Sequence, residues 1–204
     1  VKDYSAGVPR LDLCKADENG SPSYFWPFGA RTINYRWNKL DSGAVQYLYD
    51  VPNPIGWLIG LIGIALTVMQ LVNAFTGERQ HQLEKWDLMM TVLVLYLGYM
   101  IAISQLDRVM YIYHYFLPLV LSYILFGLSM INIHQLGRLK IAVEQRTMMM
   151  TILGLCVFLS FQWYRPLSYY EPLTSAEFQR RNIIPLWDMK CVDCEHSSPL
   201  VVPK

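Results

Sequence analysis

The chain has 204 residues, of which 53% are hydrophobic and only 16% are charged, and its mean hydropathy is +0.23. These values exclude an ordinary soluble domain and indicate a membrane protein. A net charge of +1 without an arginine-rich stripe excludes nucleic acid as a partner. Because the chain starts at Val1 without a targeting segment, we expect it to be the C-terminal piece of a longer protein.

Residues 1–53 are polar, turn-rich and aromatic, with the densest cluster between Tyr24 and Arg31. Tryptophan and tyrosine are favoured where a protein meets the membrane interface. We therefore interpret this region as a segment that lies on the surface and packs on the helix ends. The alternative is part of a binding cleft in which Arg31 offers a planar cation to an anionic group.

Four apolar segments follow, and each is long enough to cross a bilayer as a helix: residues 55–75, 87–104, 111–133 and 147–163. They predict an all-α integral membrane domain over residues 54–163, with both ends of the chain on one side. Small residues at near-helical spacing in the first segment, Gly56, Gly60 and Gly63, indicate a helix-packing face.

The charges of the short loops predict the orientation in the membrane. The loops after the first and third segments carry five cations: Arg79, Lys85, Arg138, Lys140 and Arg146. The loop after the second segment carries only Arg108. We therefore expect the first two loops to be cytoplasmic. The N-terminal segment, the Asp107-Arg108 turn and the tail over residues 164–204 are then extracytoplasmic.

The tail is rich in proline, which predicts irregular structure. It contains Cys191-Val-Asp-Cys194, followed by His196. A zinc site needs further ligands at matching spacing, so no metal site is predicted. Oxidation is favoured outside the cytoplasm, and we expect a structural disulfide that involves two of Cys14, Cys191 and Cys194.

The stretch over residues 106–132 combines an apolar run with polar groups at its start. His114 lies about one turn inside it, and ionisable groups within a membrane tend to be functional. A helix that extends back to the start of this stretch would present one stripe, made of Arg108, Tyr111, Tyr115 and Ser122.

A cation, phenols and an imidazole at headgroup depth suit a phosphate carried by a membrane lipid. Arg108 would take the charge, and the other groups would donate hydrogen bonds. The alternative is that Asp107 and Arg108 are an interfacial charged pair without a special role.

Several motifs together resemble one enzyme family: Trp26-Pro27 with Arg31, Asn53-Pro54-Ile55-Gly56-Trp57, Asp107-Arg108, and Tyr113-His114-Tyr115-Phe116-Leu117-Pro118. They are similar to the C-terminal four-transmembrane region of protein O-mannosyltransferases, which have the GT-C fold and belong to glycosyltransferase family 39. The resemblance implies transfer of mannose from a polyprenyl (dolichyl-type) phosphate to serine or threonine of a protein. It also implies a multi-pass protein of the bacterial inner membrane or the endoplasmic reticulum, without a cofactor and with a dimer as a candidate assembly.

The resemblance implies that several residues bind the lipid phosphate or the acceptor: Arg108, His114, Asp107, Tyr111, Tyr115, Arg31 and Trp26. The acidic pair that supplies the family's catalytic base lies in a loop with no counterpart here, and Asp107 does not match it. No catalytic residue is therefore predicted, and we expect the fragment alone to be inactive. The alternatives are a four-span assembly module without catalysis, or another GT-C enzyme that uses a polyprenyl-phosphate sugar.

Overall fold

Four long helices and a small sheet form the computed structural model, which describes residues 9–12, 14, 18–76, 83–106, 108–133, 135–136, 139–192 and 194. The elements in chain order are β1 Ile33–Lys39, β2 Val45–Asp50, α1 Pro54–Thr76, α2 Trp86–Ser104, α3 Phe116–Ile131, β3 Gln135–Leu136, β4 Leu139–Lys140, α4 Val143–Ser168, β5 Pro172–Leu173 and α5 Ser175–Arg181. Single 3₁₀ turns cover Ser23–Phe28, Ile112–Tyr115 and Pro185–Trp187.

The prediction of a mostly helical protein with four membrane helices is confirmed, since α1, α2, α3 and α4 are all long and apolar enough to span a bilayer. The third span includes the 3₁₀ turn and covers Ile112–Ile131. Helix α4, Val143–Ser168, begins before and ends after the predicted range of 147–163. Half of the apolar stretch of the third span is buried, against 6% for α4. The third span is therefore the centre of the helix packing.

Helix α1 begins at a defined cap and packs on α3 through its glycines. The Asn53 side chain accepts a hydrogen bond from the Gly56 N–H at 3.0 Å, and Pro54 takes the first helical position. A Cβ at Gly60 would overlap the Ser122 hydroxyl, and one at Gly63 would lie 2.5 Å from the Ser122 carbonyl oxygen. The predicted packing face of α1 is confirmed, because only glycine allows this approach.

Polar contacts complete the packing of the helices. The hydroxyls of Thr67 in α1 and Ser129 in α3 are 2.8 Å apart, and both residues are fully buried. Arg146 of α4 donates to the Ile131 carbonyl oxygen at 2.6 Å, which satisfies the end of α3. The bond between Thr67 and Ser129 matters in a bilayer because the hydrocarbon core holds no water to replace it.

The residues before α1 contain an antiparallel hairpin that the interpretation as a surface segment did not include. Strands β1 and β2 pair from Ile33↔Asp50 to Lys39↔Val45, with a register shift between Asn34 and Arg36, and β2 also pairs with β5. The side chains of β2 alternate between buried and half-buried. The buried ones, Val45, Tyr47 and Tyr49, pack on Phe178 of α5 and on Trp187.

The tail contains regular structure, so the prediction of irregular structure is wrong over residues 172–187. Strand β5 and helix α5 are held by the sheet and by a capping box, in which Thr174 and Glu177 bond each other's backbone N–H groups.

Further along, Cys191 and Cys194 form a disulfide, whereas Cys14 is an exposed thiol. Two phenols of β2 hold this segment. The Tyr49 hydroxyl donates to the Lys190 carbonyl oxygen at 2.9 Å, and the Val192 N–H donates to the Tyr47 hydroxyl at 3.0 Å.

Three regions of the chain meet at one end of the helices. The Ser21 N–H donates to the Met110 carbonyl oxygen at 2.9 Å, and the Thr32 N–H donates to the Trp187 carbonyl oxygen at 2.9 Å. The N-terminal segment, the turn before the third span and the tail therefore form one surface, as expected from four spans. The side of the membrane on which this surface lies stays a prediction.

Candidate functional site at the mouth of the third span

The mouth, defined as residues 108–115, is not an extension of the helix. The backbone at Tyr111 is extended, with φ −128° and ψ 156°, and the 3₁₀ turn Ile112–Tyr115 leads directly into α3. Pro118 occupies the third position of α3, in the first turn, where its missing N–H breaks no intrahelical bond. The predicted helical stripe is therefore wrong for Arg108 and Tyr111, because the helix begins after them.

Four rings stack across the mouth in the order Trp26, His114, Tyr113 and Tyr111. The Trp26 and His114 rings are nearly parallel at 13° with centroids 6.0 Å apart, and His114 and Tyr113 are 4.4 Å apart. Tyr113 and Tyr111 follow at 5.6 Å. The structure thus brings three of the predicted site residues, Trp26, His114 and Tyr111, into one aromatic stack.

The His114 ring is oriented by the backbone of Tyr111. Its Nδ1 lies 3.0 Å from the Tyr111 carbonyl oxygen, and the backbone carbonyl of His114 accepts a hydrogen bond from the Tyr99 hydroxyl at 2.9 Å. Nε2 of His114 has no hydrogen-bond partner among the described residues. The Tyr111 N–H also donates to Nδ1 at 3.4 Å. In the tautomer that accepts this bond, Nε2 carries the hydrogen and can donate to a ligand.

The N-terminal segment fixes the stack from behind. Trp26 is fully buried, its Nε1 donates to the Ser21 hydroxyl at 2.8 Å, and its carbonyl oxygen accepts from Trp57 Nε1 at 2.9 Å. Since the Ser21 N–H bonds Met110, one short segment contacts both α1 and the mouth. The buried Trp26 therefore acts as a support for His114, and its indole N–H is not available to a ligand.

The two predicted cations have different surroundings. Arg31 has a left-handed backbone at φ 56°, and its guanidinium donates to the carbonyl oxygens of Glu18 at 3.2 Å and Gly20 at 3.0 Å. These bonds tie the segment before Ser21 to the start of β1. Arg108 is half-buried, and its Nε lies 3.3 Å from the Met110 sulfur. A thioether is a weak acceptor, so the contacts of Arg108 with the described residues leave most of its hydrogen-bonding capacity for a ligand.

Tyr115 lies inside the helix packing. It is 1% exposed, and its hydroxyl is 3.0 Å from the hydroxyl of Tyr96 in α2. Sequence reasoning missed Tyr96 and Tyr99, although their spacing of three residues near the end of the second span places them on one helix face. Asp107 lies outside the described residues. No group of three or more metal-ligating side chains occurs in the part of the chain that the structure describes.

A groove of about 490 Å³ runs along β1, lined by Asn19, Asn34, Tyr35, Arg36, Trp37 and Lys190. It lies near the mouth, because Asn19 is two residues from Ser21, which bonds Met110. Burial, followed by the charges of Asp50 and Tyr113, raises the pKa of the Tyr35 phenol. Tyr35 therefore lies within electrostatic reach of the ring stack. Burial also raises the pKa of Asp50, so a partly desolvated carboxyl lies on this side of the mouth.

The family model described as the C-terminal four-transmembrane region of protein O-mannosyltransferase matches residues 10–187. The chain belongs to this family. The match includes the mouth, the hairpin and all four spans, so the region described above is the C-terminal membrane region of a protein O-mannosyltransferase. It is a multi-pass membrane protein region.

A solved structure, that of the S. cerevisiae protein O-mannosyltransferase Pmt1-Pmt2 complex bound to the sugar donor, is similar to this O-mannosyltransferase region with a TM-score of 0.63. The sequence identity is 16%, and the match covers 93% of this chain and 25% of that chain. At this identity the likeness shows the fold alone. The chain thus spans a quarter of the length of the chain that it matches. A search of curated proteins finds no sequence match.

Proposed function

We propose that this region completes an enzyme that transfers mannose from a polyprenyl (dolichyl-type) phosphate to serine or threonine of a protein. The observation that carries the proposal is the mouth of the third span. It combines an oriented imidazole, the exposed phenol of Tyr113, the half-buried phenol of Tyr111 and a half-buried guanidinium in a region that matches the O-mannosyltransferase family over residues 10–187. These groups suit the charge that remains on a lipid phosphate after the sugar leaves.

The roles of the individual residues differ. Arg108 would contact the phosphate oxygens, because among the described residues its guanidinium has one weak acceptor, the Met110 sulfur. His114 would donate from Nε2, and Tyr111 and Tyr113 would offer their hydroxyls from the same ring stack. Trp26 and Tyr115 would act as positioning residues, since both are buried and already bonded through their polar atoms. Arg31 would hold the segment on which Trp26 rests.

A general base must reach the acceptor hydroxyl, and we place none among the residues of this region. A carboxylate from another part of the enzyme would supply proton abstraction, and the region expressed alone would not transfer mannose. The mouth would face the periplasm of a bacterium or the lumen of the endoplasmic reticulum, opposite the cationic loops.

The test is mannose transfer by the enzyme that contains this region, with a polyprenyl-phosphate mannose donor and a serine- and threonine-containing peptide. Arg108→Ala and His114→Ala should each reduce the rate, and Arg108→Ala should reduce it by about a hundredfold through loss of charge stabilisation. Arg180→Ala, which removes an exposed arginine of α5, is the matched control and should retain the rate. Wild-type transfer by a well-expressed Arg108→Ala variant would overturn this role.

A further inference from the structure

The groove beside the mouth follows the backbone of strand β1 and is not confined to one face of the sheet. It is lined by the consecutive residues Asn34, Tyr35, Arg36 and Trp37, with Asn19 and Lys190 on the opposite wall. Neighbouring side chains of a strand point to opposite faces. A groove that contacts both Arg36 and Trp37, beyond the register shift, therefore includes the edge of the strand.

Strand β1 is the first strand in the sheet order β1-β2-β5, so its outer edge pairs with no other described strand. The Leu40 N–H donates to the Ala44 carbonyl oxygen at 2.9 Å, which makes Leu40 and Ala44 a hydrogen-bonded pair. Hydrogen-bonded and non-hydrogen-bonded pairs alternate along an antiparallel ladder. Trp37, opposite Tyr47, is consequently in a non-bonded pair, and its backbone N–H and C=O point away from β2 into the free edge.

Two further features suit a polypeptide at this edge. Asn34 Oδ1, on the groove wall, has no hydrogen-bond partner among the described residues, so it can accept from the backbone or side-chain N–H of a bound segment. Tyr35 and Trp37 are 57% and 52% exposed, which provides aromatic surface for side chains of an extended segment. Exposed edges are normally protected in proteins, and here the free part of β1 opens into a defined groove.

We propose that an extended polypeptide binds in this groove by adding a strand to the outer edge of β1. This proposal rests on the proposed function in one respect, which is that the polypeptide is the mannose acceptor. Asn19 on the groove wall is two residues from Ser21, whose N–H donates to the Met110 carbonyl oxygen of the mouth at 2.9 Å. A peptide paired with β1 would therefore run toward the mouth, where its hydroxyl would meet the donor.

The first experiment is peptide binding to the purified enzyme that contains this region, measured by fluorescence anisotropy with a labelled serine- and threonine-containing peptide. Trp37→Pro removes the outward N–H at a position where proline breaks no bond to β2. The Kd of the peptide for this variant should rise by about tenfold, as expected for the loss of one backbone hydrogen bond. Trp37→Thr keeps the N–H and the strand propensity and should weaken binding less.

The second experiment uses peptides that are N-methylated at alternate positions and does not require a variant enzyme. Strand addition predicts that methylation at one set of alternate residues abolishes binding while methylation at the other set is tolerated. Equal effects of the two sets would overturn the proposal. Transfer kinetics distinguish failure of the strand-addition proposal from failure of the proposed function. If mannose transfer occurs but Trp37→Pro leaves the KM for the peptide unchanged, strand addition is wrong and the enzyme assignment stands. If the wild-type enzyme transfers no mannose, the assignment is wrong, and the methylated peptides still decide strand addition.

Discussion

Replacement of Gly63 by alanine should disrupt the contact between α1 and α3. The new Cβ would lie 2.5 Å from the Ser122 carbonyl oxygen, 2.7 Å from Phe126 Cβ and 2.8 Å from the Phe126 nitrogen. Two of these three atoms belong to the backbone of α3. No rotamer change can relieve the overlap, so the helices themselves must separate.

The size of the effect follows from the distances. Ordinary contact of a Cβ begins at 3.4 Å, so α1 and α3 must move apart by almost one ångström at this point. Overpacking of this kind typically costs about 1–3 kcal/mol. The shift would also lengthen the 2.8 Å bond between Thr67 and Ser129, and a hydrogen bond between membrane helices contributes roughly 0.6 kcal/mol. We therefore expect the free energy of unfolding to fall by about 2–4 kcal/mol.

The assay is denaturant unfolding of the purified enzyme in detergent micelles, followed by tryptophan fluorescence. Gly98→Ala in α2 is the matched control, because a Cβ at Gly98 would have no atom within 4 Å. It introduces the same methyl group into a membrane helix and should leave stability unchanged or slightly increased. Equal stability of Gly63→Ala and Gly98→Ala would refute the close contact between α1 and α3.

Three further predictions concern Asp50 and the cysteines outside the spans. Burial raises the pKa of Asp50 above 3.8, so its protonated form contributes stability that is present at low pH and is lost as the pH rises through the raised value. Asp50→Asn should therefore match the wild type in acid and have the higher free energy of unfolding at neutral pH, and equal stability at neutral pH would contradict this. Without reductant, a maleimide should label Cys14 but not Cys191 or Cys194, and reductant should expose both. An impermeant maleimide applied from the cytoplasmic side should label none of the three, and labelling from that side would invert the proposed orientation.

The four spans could be predicted because length and hydropathy alone define a membrane helix, whatever its partners. The hairpin was missed because its aromatic residues were interpreted as an interfacial belt. Val45, Tyr47 and Tyr49 recur at every second residue after a turn that contains Gly43, and this alternation is the signal of a half-buried strand. Period was thus more informative than composition in this segment.

The mouth shows a second limit of sequence reasoning. The predicted stripe assumes that the helix continues back through Tyr111 to Arg108, although Pro118 restricts where the helix can begin. A proline is tolerated in the first turn of a helix, so its position already favours a start only a few residues before it. The stack of Trp26 on His114 could not be predicted in this way. It joins residues that are distant in the chain, and only the tertiary structure brings them together.

The segment over residues 18–31, which leads directly into β1, supports the ring stack. Arg31 binds the carbonyl oxygens of Glu18 and Gly20, Ser21 bonds both Met110 and Trp26, and Trp26 supports His114. The hairpin that follows this segment supplies the edge of β1 at the groove. If a lipid phosphate binds at the stack and a polypeptide at that edge, one folded segment sets the distance between them. This arrangement gives a physical reason for a small sheet in an otherwise helical membrane region, since a β-edge can align a polypeptide and a membrane helix cannot.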